Sequence, residues 1–209
     1  MIFKSYNLEK NIQSINNAAF LFYGENHGLK NEFKNEIKEI FKTNEIINLH
    51  QEEIIKDKNL LIKEVANKSL FADKKIVFIN QVNDKILNII EEIEKYLQEE
   101  QIFLFADILE KKSKLRSYFE KSENLGIVAC YEDNEITIRK IITEKLKMMT
   151  GVTSGVVNQI IESTGFDRSK IQNEINKIIS FFSDKKILEN KLNQLLNDSS
   201  NDDFNDLKD

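Results

Sequence analysis

The chain has 209 residues, 41% of them hydrophobic and 31% charged, which supports a buried core in one or two globular domains and excludes disorder throughout. Its formal net charge of −5 argues against a stand-alone nucleic-acid binder, because affinity for phosphate rests on clustered Lys and Arg. Cys130 is the one cysteine, so an intramolecular disulfide and a cysteine metal cluster are excluded and a reducing compartment fits.

The first ten residues, MIFKSYNLEK, lack the apolar core of a signal peptide, and no later apolar run reaches membrane-spanning length. A cytosolic protein is expected. The first strand is predicted at 19–23, a continuous apolar run of the kind that is buried on both faces. Gly24-Glu25-Asn26-His27-Gly28-Leu29-Lys30-Asn31 follows and leads into a helix at 29–42, with Phe33, Ile37, Ile40 and Phe41 on one side. This is where a phosphate-binding P-loop would sit. A working loop has four residues between its glycines, then Lys and Ser or Thr. Here three residues separate Gly24 from Gly28, Lys30 does not follow Gly28 directly, and Asn31 replaces the magnesium-binding hydroxyl. The alternative is an ordinary strand–turn–helix connection.

A second strand is predicted at 45–49 and a helix at 57–68. Ser69-Leu70-Phe71 comes next, an apolar pair in polar surroundings; the plain reading is that such a pair packs under the sheet. The third strand, 75–80, ends at Asn80-Gln81, where a Walker B acidic pair would follow. Neutral amides cannot hold magnesium or polarise a water as carboxylates can. Two separate parts of an ATPase apparatus therefore fail together, which points to a P-loop-like scaffold that does not hydrolyse. A helix at 82–99, a strand at 101–106, a helix at 111–121 and a strand at 126–131 complete the series. Strands alternating with helices imply parallel pairing through crossovers. Lys111, Lys112, Lys114 and Arg116 cluster on one helix and read as a solvated face. His27 and His50 lack companions at metal spacing, so no metal site is assigned. No Ser/His/Asp or Cys/His constellation suggests catalysis.

Past residue 131 the strands stop. Helices are predicted at 137–149, 153–163, 168–182 and 188–196, with Gly151 and Gly165 as stops and Asp167 as an N-cap. Residues 197–209 contain five Asp and read as a solvated linker or tail. The expected architecture is thus an α/β domain over 1–135 with a P-loop NTPase or AAA+-like parallel five-stranded sheet and flanking helices, a small helical lid over 136–196, and an acidic tail.

These segments resemble, in order, the delta subunits of bacterial DNA polymerase III. The opening 20–28 is similar to that family's first strand and loop. Ser69-Leu70-Phe71-Ala72 before Lys74-Lys75-Ile76-Val77-Phe78 is similar to its Ser-Leu-Phe element and third strand. Phe103-Leu104-Phe105-Ala106-Asp107 with Lys111-Lys112-Ser113-Lys114-Leu115, Gly126 to Cys130, and the stretch from Arg168 through Glu174 to Lys177 are similar to its later strands and lid. The resemblance spans most of 1–195; no single motif is specific, but their joint order is.

The resemblance implies a clamp-loader subunit without chemistry or cofactor of its own. It would work in a pentamer with gamma or tau and delta-prime, bind the beta sliding clamp, open one of its interfaces, and reach DNA only through the assembled complex. Leu70 and Phe71, with Ser69, would be the clamp-binding residues. The family's third, helical collar domain has no counterpart after residue 196, so the chain by itself is expected to be monomeric. The rival readings are an active P-loop NTPase with a helical lid, and a delta-prime-like subunit; the second is weakened by the missing zinc cysteines and by the Leu70-Phe71 pair.

Overall fold

Short apolar strands separated by helices can pair only in parallel, through crossovers, and the computed structural model has that arrangement. It describes residues 1–66, 74–97 and 100–197. The chain divides into two units, Met1–Tyr131 and Glu132–Asp209. In the first unit the strands are β1 Ile2–Phe3, β2 Ala19–Tyr23, β3 Glu45–His50, β4 Lys75–Val82, β5 Gln101–Ala106 and β6 Gly126–Ala129. The helices are α1 Ser5–Leu8, α2 His27–Ile40, α3 Gln51–Lys56, α4 Lys58–Ala66, α5 Leu87–Ile93 and α6 Lys114–Lys121, with 3-10 turns at Ile12–Ser14 and Asp84–Ile86.

Among the described residues the sheet has six strands in the order β1-β6-β2-β5-β4-β3, all parallel. This corrects the expected five. The added strand, β1, is two residues long, too short for any periodicity, and exists because Ile2 and Phe3 pair with Ile127 and Val128 of β6. The helix expected at 57–68 corresponds to α4; α3, which precedes it at Gln51–Lys56, has no counterpart in the sequence reading because it is too short to show a repeat.

The chain direction reverses once. From β2 it runs outward to the edge strand β3, then returns through β4 and β5 and passes β2 to reach β6. Right-handed crossovers place helices on opposite faces when the direction of travel reverses. The two apolar cores divide accordingly. Leu29, Phe33 and Ile37 of α2 pack with Phe20, Phe22, Phe78, Phe103 and Phe105 on one face. Ile54, Leu61, Ile90, Leu115 and Phe119 of α3 to α6 pack with Leu21, Val77, Ile79 and Leu104 on the other. Neighbouring residues of one strand serve different cores, which is why the strands read as unbroken apolar runs. The N-terminus of α6 is fixed from outside its own sequence. Ser113 caps it by accepting from the Arg116 amide, and Asp84 accepts from the Lys114 and Leu115 amides at 3.2 and 3.1 Å. Burial alone would push the Asp84 carboxyl up, but the Ser113 hydroxyl and those amides hold it below the usual carboxylate range.

The second unit contains α7 Glu135–Lys145, α8 Ser154–Thr164, α9 Arg168–Phe181 and α10 Glu189–Asn197 around Ile138, Ile142, Ile160, Ile171, Ile175, Ile178 and Leu192. Gly165 ends α8 at φ 63°, and Asp167 caps α9 by accepting from the Lys170 amide at 3.0 Å. Arg168 is buried at the start of α9 and grips Asp133 with two bonds of 2.8 Å to its two carboxylate oxygens. Side-chain exposure is 2% for the arginine and 7% for the aspartate. This contact holds residues just before α7 in the second unit, ahead of the boundary expected from sequence. A buried pair of this kind is costly to break from one side, because the remaining charge is left in the interior. Arg168→Met is therefore expected to destabilise the second unit by about 3–5 kcal/mol. Hydrogen exchange of the α7 and α9 amides in the full chain measures this; amides that exchange at the parental rate contradict it.

Candidate functional site

In open parallel sheets, ligands sit beyond the carboxyl ends of the strands where the chain direction reverses. Here that point is the end of β2, and the degenerate loop stands on it. Gly24 has φ 131°, and a Cβ there would lie 2.2 Å from the Cys130 carbonyl oxygen, so glycine is required by both conformation and space. The Gly24 amide donates to the Asp107 carbonyl at 3.1 Å and the Asn26 amide to that of Cys130 at 3.0 Å. The Asn26 side chain caps α2 by accepting from the Leu29 amide at 2.9 Å and donates to the Tyr131 carbonyl at 3.0 Å. A loop that cradles phosphate turns its amides toward the ligand. In this loop the amides of Gly24, Asn26, His27 and Leu29 are all bonded within the protein.

Lys30 completes the closure. Its ammonium, buried to 7% side-chain exposure, donates to the carbonyls of Gly24 at 2.7 Å and Ala106 at 2.8 Å and to the Asp107 carboxylate at 3.3 Å. An ammonium has three donors, and all three point at the ends of β2 and β5. Gly28 is buried in the first turn of α2, while Asn31 is exposed.

The Walker B position is equally occupied. The Asn80 side chain donates to the Leu49 carbonyl at 3.2 Å and accepts from the Lys34 ammonium at 2.8 Å. Gln81 stands at φ 56° in an irregularity between Asn80 and Val82, which breaks the strand pairing just where catalytic carboxylates would project. Around the rim, Tyr23 faces Tyr131 across 3.4 Å between hydroxyls, and the Arg116 guanidinium lies 4.9 Å from the Tyr23 ring centre. Burial, with the Tyr131 hydroxyl, pushes the Tyr23 phenol well above its usual range. Among the described residues no group of three His, Cys, Asp or Glu is placed to hold a metal ion.

The structure brings together Gly24, Lys30, Asn80 and Gln81 at one end of the sheet. It separates the basic cluster. Arg116 turns inward to the Leu109 carbonyl and Glu120, while Lys111, Lys112 and Lys114 stay exposed, Lys112 pairing with Glu110. Ser69, Leu70 and Phe71 lie outside the described residues. The sequence reading gives no role to Asp107 or Lys34. Lys34 had a signal, the spacing of lysines 30, 34 and 38 along one side of α2; Asp107 had none, because its contact with Lys30 crosses 77 residues.

If Lys30 is structural, Lys30→Met removes the ammonium donor from two carbonyls and lowers the stability of the first unit by about 1–3 kcal/mol. A lysine poised for phosphate would leave ligand-free stability unchanged or raised when replaced. Urea unfolding of the two proteins separates these outcomes.

No family model matches the chain. Among curated proteins, a probable DNA polymerase III subunit delta of Rickettsia prowazekii is 33% identical over 84 residues, which is 40% of this chain and 26% of that protein. The chain thus spans about a quarter of the length of that relative. Among solved structures, the DNA clamp loader delta protein of Bacillus subtilis superposes with a TM-score of 0.63 at 15% identity, covering 91% of this chain and 62% of the other. The RuvB protein of Thermotoga maritima superposes with a TM-score of 0.58 at 12% identity, covering 92% of this chain and 67% of the other. At those identities the superpositions establish the fold, and the sequence match gives it a direction. The chain resembles the delta subunit of bacterial DNA polymerase III, in sequence over part of its length and in fold over nine-tenths of it.

Proposed function

We propose that this protein is a clamp-loader subunit of the delta type: a module of the DNA polymerase III holoenzyme that performs no chemistry of its own. It binds the beta sliding clamp in the cytoplasm and opens one interface of the ring for loading onto primed DNA. Its assembly partners in this reading are gamma or tau and delta-prime, and DNA is met only inside the complex. The observation that carries the reading is the Lys30 ammonium, whose three donors are all used inside the protein. A scaffold of the nucleotide-binding type whose phosphate lysine is turned inward suits a subunit that responds to its neighbours' ATP. The sequence match to a delta subunit supports the same reading.

The clamp-binding residues in this proposal are Leu70 and Phe71, beside Ser69, in the segment that follows α4. An adjacent Leu and Phe in a polar stretch suits an anchor that a partner covers, with Lys68, Asp73 and Lys74 as a polar rim.

Two measurements test the proposal. The full chain with magnesium and ATP should hydrolyse no more than buffer does; a rate that disappears in Lys30→Ala would refute the silent-module reading. Truncating a buried anchor commonly costs about 2 kcal/mol or more, so Phe71→Ala should weaken clamp binding by about 30-fold or more, with the unfolding midpoint nearly unmoved. Calorimetry against the clamp and denaturant unfolding, on Leu70→Ala and Phe71→Ala, give both quantities. Unchanged affinity with about 3 kcal/mol or more of lost stability would make the pair core residues instead.

A further inference from the structure

Beside the closed loop, the α2 face of the sheet carries a strip of positive charge that no acidic side chain among the described residues pairs with. Lys34 and Lys38, both half-buried and one turn apart on α2, hold their ammonium groups over the same ring, 5.5 and 5.9 Å from the centre of Phe78. Lys34 also lies 5.5 Å from the centre of Phe105. Lys34 bonds to the neutral Asn80 amide, which leaves two of its three donors for something else. That amide cannot turn away, because its nitrogen is tied to the Leu49 carbonyl. Burial and the neighbouring Lys38 charge both push the Lys34 ammonium below its usual pKa, as expected where two cations share a site with no counter-charge.

The other wall of the strip is the edge strand β3. Asn48 pairs in register with Phe78 and His50 with Asn80, so both share the α2 face of the sheet, and both are exposed. Glu45, the acidic residue of β3, is offset by an odd number of positions and falls on the opposite face. The strip therefore offers two lysines and two amides over an aromatic floor, with no carboxylate from β3 or β4; at its far end His50 caps α3, and the Glu53 carboxylate accepts from the His50 amide at 2.7 Å.

We infer that Lys34 and Lys38, with Asn48 and Asn80, form a binding site for a phosphate group, carried either on a small anion or on a nucleic-acid strand. Lysine binds phosphate as a compact point charge, and two ammonium groups over one ring suit an anion that carries more than one negative charge. The site lies outside the degenerate loop and holds whether or not the chain is a delta-type subunit, since it rests on the charge distribution alone.

Titrations of the full chain without divalent cations, followed by lysine and backbone chemical shifts, test this with three probes: inorganic pyrophosphate, a single-stranded thymidine oligonucleotide, and a polyglutamate peptide. Pyrophosphate or the oligonucleotide should move the Lys34, Lys38 and Asn80 signals. Lys34→Met/Lys38→Met should weaken that binding by about tenfold or more, while Lys34→Arg/Lys38→Arg should retain it. Asn80→Asp, which supplies the missing counter-charge within the strip, should have the same effect as the methionines and guards against a folding defect in them. Binding of pyrophosphate identifies a free anion as sufficient; binding of the oligonucleotide alone identifies a strand. No binding of either, equal binding by the Asn80→Asp variant and the parental chain, or capture of polyglutamate alone would overturn the inference.

Discussion

A lysine ammonium cannot be taken out of water unless all its donors find partners, and the first unit is organised around one that does. Lys30 ties the loop after β2 to the end of β5, two segments separated by 76 positions at the Ala106 bond. Its partners are two backbone carbonyls and one carboxylate, and the carboxylate, Asp107, is 74% exposed. The carbonyls are therefore the groups that make burial tolerable. They are backbone acceptors at the ends of β2 and β5, reached at 2.7 and 2.8 Å. The same contact that completes the sheet's carboxyl edge uses all three donors of the Lys30 ammonium inside the protein.

The position of that edge follows from topology. Because the chain runs outward once and returns, α2 lies on one face while α3 to α6 share the other. A single long helix cannot cover a six-stranded sheet. Phenylalanines from β2, β4 and β5 fill the space beneath it, with ring centres 5.0 to 6.5 Å apart, and the lysines of α2 extend over the rings of Phe78 and Phe105. Beyond them the face above β3 carries exposed Asn48 and His50. The sparse helical cover explains at once why this face is aromatic, why its border is cationic, and why polar groups survive there.

The second unit solves a different problem with a similar device. Four short helices bury little surface each, so the entry of the chain must be held in place. Arg168 and Asp133 do this with a bidentate pair inside the protein, at the start of α9 and just ahead of α7. Each unit thus uses a buried cation to fix a segment of chain, Lys30 the loop after β2 and Arg168 the residues ahead of α7.

The sequence by itself determined the class of fold. The runs at 19–23 and 101–106 match β2 and β5 residue for residue, because a strand buried on both faces is almost continuously apolar. Gly24 and Asp167 were legible for the same reason: one backbone conformation and one cap each admit few residue types. The departures of residues 24–31 from a phosphate-loop spacing, and the amides Asn80 and Gln81, are visible in one dimension because that motif has fixed spacing. Tertiary structure alone decided what fills those gaps. The Lys30–Asp107, Lys34–Asn80 and Arg168–Asp133 contacts join residues 35 to 77 positions apart, and no periodicity or propensity carries information over that distance. Strand β1 was hidden likewise, because two residues become a strand only when β6 supplies the partner.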